Sequence, residues 1–120
     1  VHGMQFLLAQ LDKYKKSQPV GAVHWVFSML QDKDIQGVID VAQPQVNHWH
    51  IAALPPSVAR AASVAHLQAA LGSAPHTVYT DIPAALHSAY AATHSQDLIV
   101  VCGSFHTLEA VWEVINNGTD

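Results

Sequence analysis

The sequence predicts an α/β domain: a parallel sheet with helices on both faces. Three observations predict it. Short runs rich in Val, Ile, Trp and Phe alternate with segments whose apolar residues recur at helical spacing. The connections between them are short, as in strand–helix units. The run Leu98–Cys102 is continuously apolar, the pattern of a strand covered on both sides.

The elements follow in order. Met4, Leu7, Leu8 and Leu11 recur at helical spacing, and Ser17-Gln18-Pro19 breaks the pattern. Val20 to Leu30 reads as a buried strand. The polar loop Gln31-Asp32-Lys33-Asp34 caps a helix from Ile35 to Gln43, which Pro44 ends. Val46 to Leu54 is a second strand, closed by Pro55-Pro56. An Ala-rich helix runs from Ala59 to Leu71 and stops at Gly72. Thr77 to Thr80 is a short strand. Asp81 caps a helix that reaches His94, with Pro83 in its first turn. After the strand Leu98–Cys102, Gly103-Ser104 turns into a last helix, Phe105 to Asn116, and a short polar tail.

With 120 residues, half of them hydrophobic, the chain is expected to form a single domain, residues 1–120. The net charge is −4, and three of the five cations cluster at Lys13, Lys15 and Lys16, so no nucleic-acid partner is expected. No apolar run is long enough to span a bilayer and no signal peptide is visible. The single Cys102 fits a reducing, cytoplasmic setting. The chain opens inside a helix, from which we expect a preceding first strand to have been cut away.

Ligands of open parallel sheets bind beyond the carboxyl ends of the strands. Three loops fall there: residues 28–34, 54–60 and 102–107. In the third, Gly103 permits a sharp turn and Ser104 falls at a helix N-cap, where free N–H groups attract a carboxylate or phosphate. His106 lies one turn further on. Read locally, Ser104 is equally a plain cap and His106 a surface residue. Lys33, flanked by Asp32 and Asp34, is either an anion contact or part of a solvated loop. Arg60, the lone arginine, is either a clamp for an acidic ligand or a surface charge. Nine His residues raise a metal hypothesis, and His48 and His50 share a strand face. No cysteine cluster or His-Glu-x-x-His accompanies them, so no metal site is expected and most are read as surface or interface residues.

Four segments in register carry a resemblance. Val100-Val101-Cys102-Gly103-Ser104-Phe105-His106-Thr107 is similar to the closing motif of the bacterial folylpolyglutamate synthases, including the bifunctional dihydrofolate synthases. Ser28-Met29-Leu30-Gln31-Asp32-Lys33-Asp34-Ile35 resembles their Gly-Met-Leu-x-Asp-Lys-Asp-Ile segment, with Ser28 in place of Gly. Trp49-His50-Ile51-Ala52-Ala53-Leu54 resembles Trp-Tyr-x-Ala-x-Leu, and Arg60-Ala61-Ala62-Ser63 resembles the Arg-Ala-Ala or Arg-Gly-Ala that follows.

The resemblance is to the C-terminal domain of these enzymes, which are similar to the Mur ligases. It implies a Rossmann-like, three-layer α/β/α domain with a mostly parallel sheet, its first strand (ending in Asp-x-Ala-His-Asn-Pro) missing ahead of Val1. It implies an ATP-dependent ligase that joins L-glutamate to dihydropteroate or to the glutamyl tail of a folate through an acyl phosphate. ATP and Mg2+ would be bound mainly by an N-terminal domain absent from the chain, and the isolated fragment would be inactive, with no catalytic residue of its own. Ser104 and His106 would bind glutamate; Asp32 and Lys33 would line the nucleotide side of the cleft. The alternatives are a Mur cell-wall ligase domain and a stand-alone module binding an anionic metabolite.

Overall fold

The computed structural model describes residues 2–103. The element order is α1 (His2–Ser17), β1 (Val23–Ser28), α2 (Ile35–Ala42), β2 (His48–Ala52), α3 (Val64–Leu71), β3 (His76–Tyr79), α4 (Ile82–Ala92) and β4 (Leu98–Gly103). A 3-10 turn at Gln43–Gln45 carries Pro44 and leads into β2. The four strands form one sheet in the order β3-β2-β1-β4, and every pairing is parallel. The expected last helix and tail lie outside the described residues.

Strand alternation sorts the core into two layers. Val23, Trp25 and Phe27 of β1 and Trp49 and Ile51 of β2 face one side. There they meet Leu8 and Leu11 of α1, Ile35, Val38, Ile39 and Ala42 of α2, and Leu67 and Leu71 of α3. Val26, Ala52, Ile99 and Val101 face the other side, against Ile82, Ala85 and Ala89 of α4. The three-layer α/β/α architecture is therefore present within the described residues. In α2 the buried positions fall at i, i+3, i+4 and i+7, which is why this segment is helical and where its stripe points.

The predicted boundaries move for local reasons. β1 is shorter than Val20–Leu30. At its start Gly21 N–H bonds Gln96 O at 2.9 Å and Ala22 N–H bonds the Asp97 carboxylate at 2.8 Å. A side chain at Gly21 would overlap Asp97 Oδ1 and push that carboxylate off the Ala22 amide. At its end Leu30 turns aside to pair antiparallel with Ala61. α3 starts at Val64, five residues later than expected. Residues 59–62 are held by that bridge, and Ser63 is the N-cap, accepting from His66 N at 3.1 Å.

Candidate functional site

Chain direction places the site. From β1 to β2 to β3 the sheet grows one way, with α2 and α3 on the Trp25 face. α4 then crosses the opposite face and delivers β4 to the far side of β1. The sheet therefore reverses between β1 and β4, and the crevice beyond their carboxyl ends is where such folds bind ligands. Ser28 pairs with Gly103 in register, so both strands end at one level. The loop that leaves β1 carries Asp32 and Lys33.

That loop is tied to the one after β2. Gln31 N–H bonds Arg60 O at 2.7 Å and Ala62 N–H bonds Met29 O at 2.9 Å. Arg60 has φ 62°, the left-handed region that a non-glycine residue adopts at a cost of about 1–2 kcal/mol. Its guanidinium makes an ion pair with Asp32. Asp32 and Lys33 consequently diverge. Asp32 is bound to Arg60, while Lys33 lines a cleft of about 330 Å³ between α2 and α3 with Asp34, Gln36 and His66. Asp34 caps α2, accepting from Gly37 N at 3.0 Å. Ser104 and His106 lie outside the described residues. Arg60, weighed in the sequence as clamp or surface charge, is fixed here by a carboxylate of the neighbouring loop.

A second polar constellation lies on the α4 face, where histidines were expected to be peripheral. His24 and His50 are buried, at 8% and 3% exposure. His24 Nδ1 is 2.9 Å from His50 Nε2, and His50 Nδ1 is 2.8 Å from the Tyr79 hydroxyl. Tyr79 donates to Ser88 Oγ of α4 at 2.8 Å. Asp97 Oδ2 sits 3.8 Å from His24 Nε2. Burial, followed by the neighbouring His48 and His24, pushes the His50 pKa down to about 4. Burial, then His24 and His76, also lowers that of His48. The amides of His94 and Ala22 donate to Asp97 and hold its carboxyl below its ordinary value. The signal legible in the sequence was His48 and His50 two apart on one strand; pairing His24 with them needed the sheet register. Among the described residues no group of three His, Cys, Asp or Glu side chains is arranged to hold a metal ion. No described helix is long and apolar enough to cross a membrane.

A parallel sheet that reverses beside β1, with helices on both faces, defines a doubly wound α/β domain. Residues 1–105 match the family model described as Mur ligase, glutamate ligase domain, and the chain belongs to that family. It is 32% identical over 115 residues to the dihydrofolate synthase/folylpolyglutamate synthase of Escherichia coli, covering 96% of this chain and 26% of that protein. The E. coli enzyme solved with DHPP and ADP superposes with a TM-score of 0.86 at 31% identity, over 99% of this chain and 27% of the other. The Yersinia pestis bifunctional enzyme, solved with AMPPNP and Mn, gives 0.84 at 31% identity, over 96% and 26%. The chain thus spans about a quarter of the length of these relatives.

Proposed function

We propose that this chain is the C-terminal glutamate-ligase domain of an ATP-dependent amide ligase acting on dihydropteroate, on the glutamyl tail of folates, or on both. The observation that carries the reading is the β1/β4 switch point, with the Asp32–Lys33 loop beside it, in a chain of this family. The relatives' bound ADP, AMPPNP and DHPP support it. In the proposed reaction a substrate carboxylate is phosphorylated by ATP. The amino group of L-glutamate attacks the resulting acyl phosphate carbon, an amide bond forms, and phosphate leaves. The domain's part is positioning and charge stabilisation, which supply much of the rate in such transfers.

In this reading Ser104 and His106 hold the incoming glutamate. Lys33 faces the nucleotide side, and Asp32 acts there through Arg60 by fixing the two loops against each other. ATP and Mg2+ are held mainly by an N-terminal domain, the chain's main partner.

The test is 1H–15N shift mapping of the chain with L-glutamate and with ATP. The proposal expects weak, millimolar shifts confined to residues 29–34, 60–62 and the end of β4, and no turnover. Shifts at the opposite edge, around residues 94–97 or 75–76, would contradict it. Tight binding of either ligand would move the assignment to a stand-alone binding module.

A further inference from the structure

Asp32, Lys33 and Asp34 follow one another in the loop after β1, and Arg60 reaches them from the loop after β2. The two loops lie together as a short antiparallel ladder. Leu30 bridges Ala61, Gln31 N–H bonds Arg60 O at 2.7 Å and Ala62 N–H bonds Met29 O at 2.9 Å. The backbone of Lys33 is fixed on both sides. Its N–H bonds Leu30 O at 3.2 Å, and its carbonyl accepts from Ile35 N–H at 2.8 Å.

Both carboxylates that flank Lys33 are engaged elsewhere. Asp34 accepts from Gly37 N–H at the start of α2, and Asp32 accepts from Arg60 Nη1. Among the described residues no carboxylate pairs with Lys33. Its ammonium is left for the α2–α3 cleft that it lines. The loop's own three charges sum to one net negative, which repels a phosphate or carboxylate. Arg60 supplies the missing counter-charge.

Stability does not account for that arginine. Its side chain is 61% exposed and that of Asp32 42%, and pairs so exposed contribute little. Its φ of 62° suits glycine or asparagine better. The turn alone would be made with less strain by either, so the guanidinium and its hold on Asp32 are what the residue adds.

We propose that Arg60 is a positioning residue that holds and neutralises Asp32, leaving Lys33 as the cation open to a phosphate-bearing ligand. This rests on the reading of that edge as the nucleotide side of the site, and it gives Arg60 a charge-balancing role beyond joining the two loops.

ATP titrations of the chain, followed by 1H–15N shifts at residues 29–34, test it in wild type, Arg60→Asn, Asp32→Asn and the double variant. Asparagine keeps the left-handed backbone at position 60 and the shape of aspartate at position 32. At low salt Arg60→Asn should weaken ATP about fivefold, because a bare carboxylate then stands beside Lys33. The double variant should recover most of that loss, to within about twofold of wild type, and Asp32→Asn should bind no more weakly than wild type. If Arg60 itself touched the ligand, the double variant would stay as weak as Arg60→Asn. If the pair only joined the loops, all three variants would weaken alike. Either result overturns the inference. Without ligand, side-chain scalar couplings should show one Asp32 χ1 rotamer in wild type and averaging in Arg60→Asn; averaging already in wild type overturns the inference by itself. ATP shifts absent from residues 29–34 of wild type would instead overturn the reading of the site, while the couplings still decide whether Arg60 holds Asp32.

Discussion

Trp25 and Trp49 lie side by side in the core, rings 5.4 Å apart and both fully buried, yet they should respond differently to the same substitution. Trp49 Nε1 donates to Gln43 Oε1 at 2.6 Å. Trp25 Nε1 has no partner among the described residues. Replacing either by Phe keeps an aromatic ring and leaves a cavity of the same size, so that cost cancels in the comparison. Trp49→Phe also forfeits a hydrogen bond worth about 1 kcal/mol net. Trp25→Phe removes a buried, unpaired N–H, relieving about 1–3 kcal/mol. Trp49→Phe should therefore be less stable than Trp25→Phe by about 2–4 kcal/mol. In urea, followed by far-UV circular dichroism, that separates the midpoints by roughly 1 M or more. Equal midpoints, or a less stable Trp25→Phe, would refute the hydrogen-bond assignment.

Three further outcomes are expected. Because the His50 pKa is lowered on folding, the unfolded chain binds its proton more readily. Stability is then full above about 6.5 and is lost as pH falls toward 4. That amounts to about 2 kcal/mol between pH 7 and pH 5, measurable by urea titration and absent in His50→Phe. Asp97, also lowered, adds a loss in the same direction at more acidic pH. Arg60→Gly should be more stable than Arg60→Ala by about 1 kcal/mol in thermal unfolding, since only glycine relieves the left-handed φ while both lose the exposed pair with Asp32. Asp81→Ala should cost about 1 kcal/mol, because Asp81 Oδ1 accepts from Ala84 N at 2.8 Å and caps α4.

Much of this fold was legible because local rules and tertiary packing agree. The α2 stripe, the Asp34 and Asp81 caps, Gly72 after α3 and the apolar β4 each read correctly from neighbours within a turn. What was not legible depends on pairs distant in sequence. α3 lost residues 59–63 because Ala61 pairs with Leu30, an interaction no helical periodicity reports. Asp32 and Lys33 read as one charged loop, yet a partner 28 residues away turns Asp32 to Arg60 and leaves Lys33 in the α2–α3 cleft. His24 and His50 read as peripheral because their burial is set by sheet register and by the Tyr79–Ser88 tie.

The proposal that this chain supplies the glutamate-ligase part of a two-domain site is open to a domain exchange. The matching quarter of the E. coli dihydrofolate synthase/folylpolyglutamate synthase would be replaced by this chain, and folding checked by circular dichroism. Phosphate release would then be followed with ATP, dihydropteroate and L-glutamate. The expected result is release that requires glutamate and falls at least tenfold in Lys33→Ala. A folded chimaera that releases no phosphate, or does so without regard to glutamate, would contradict it.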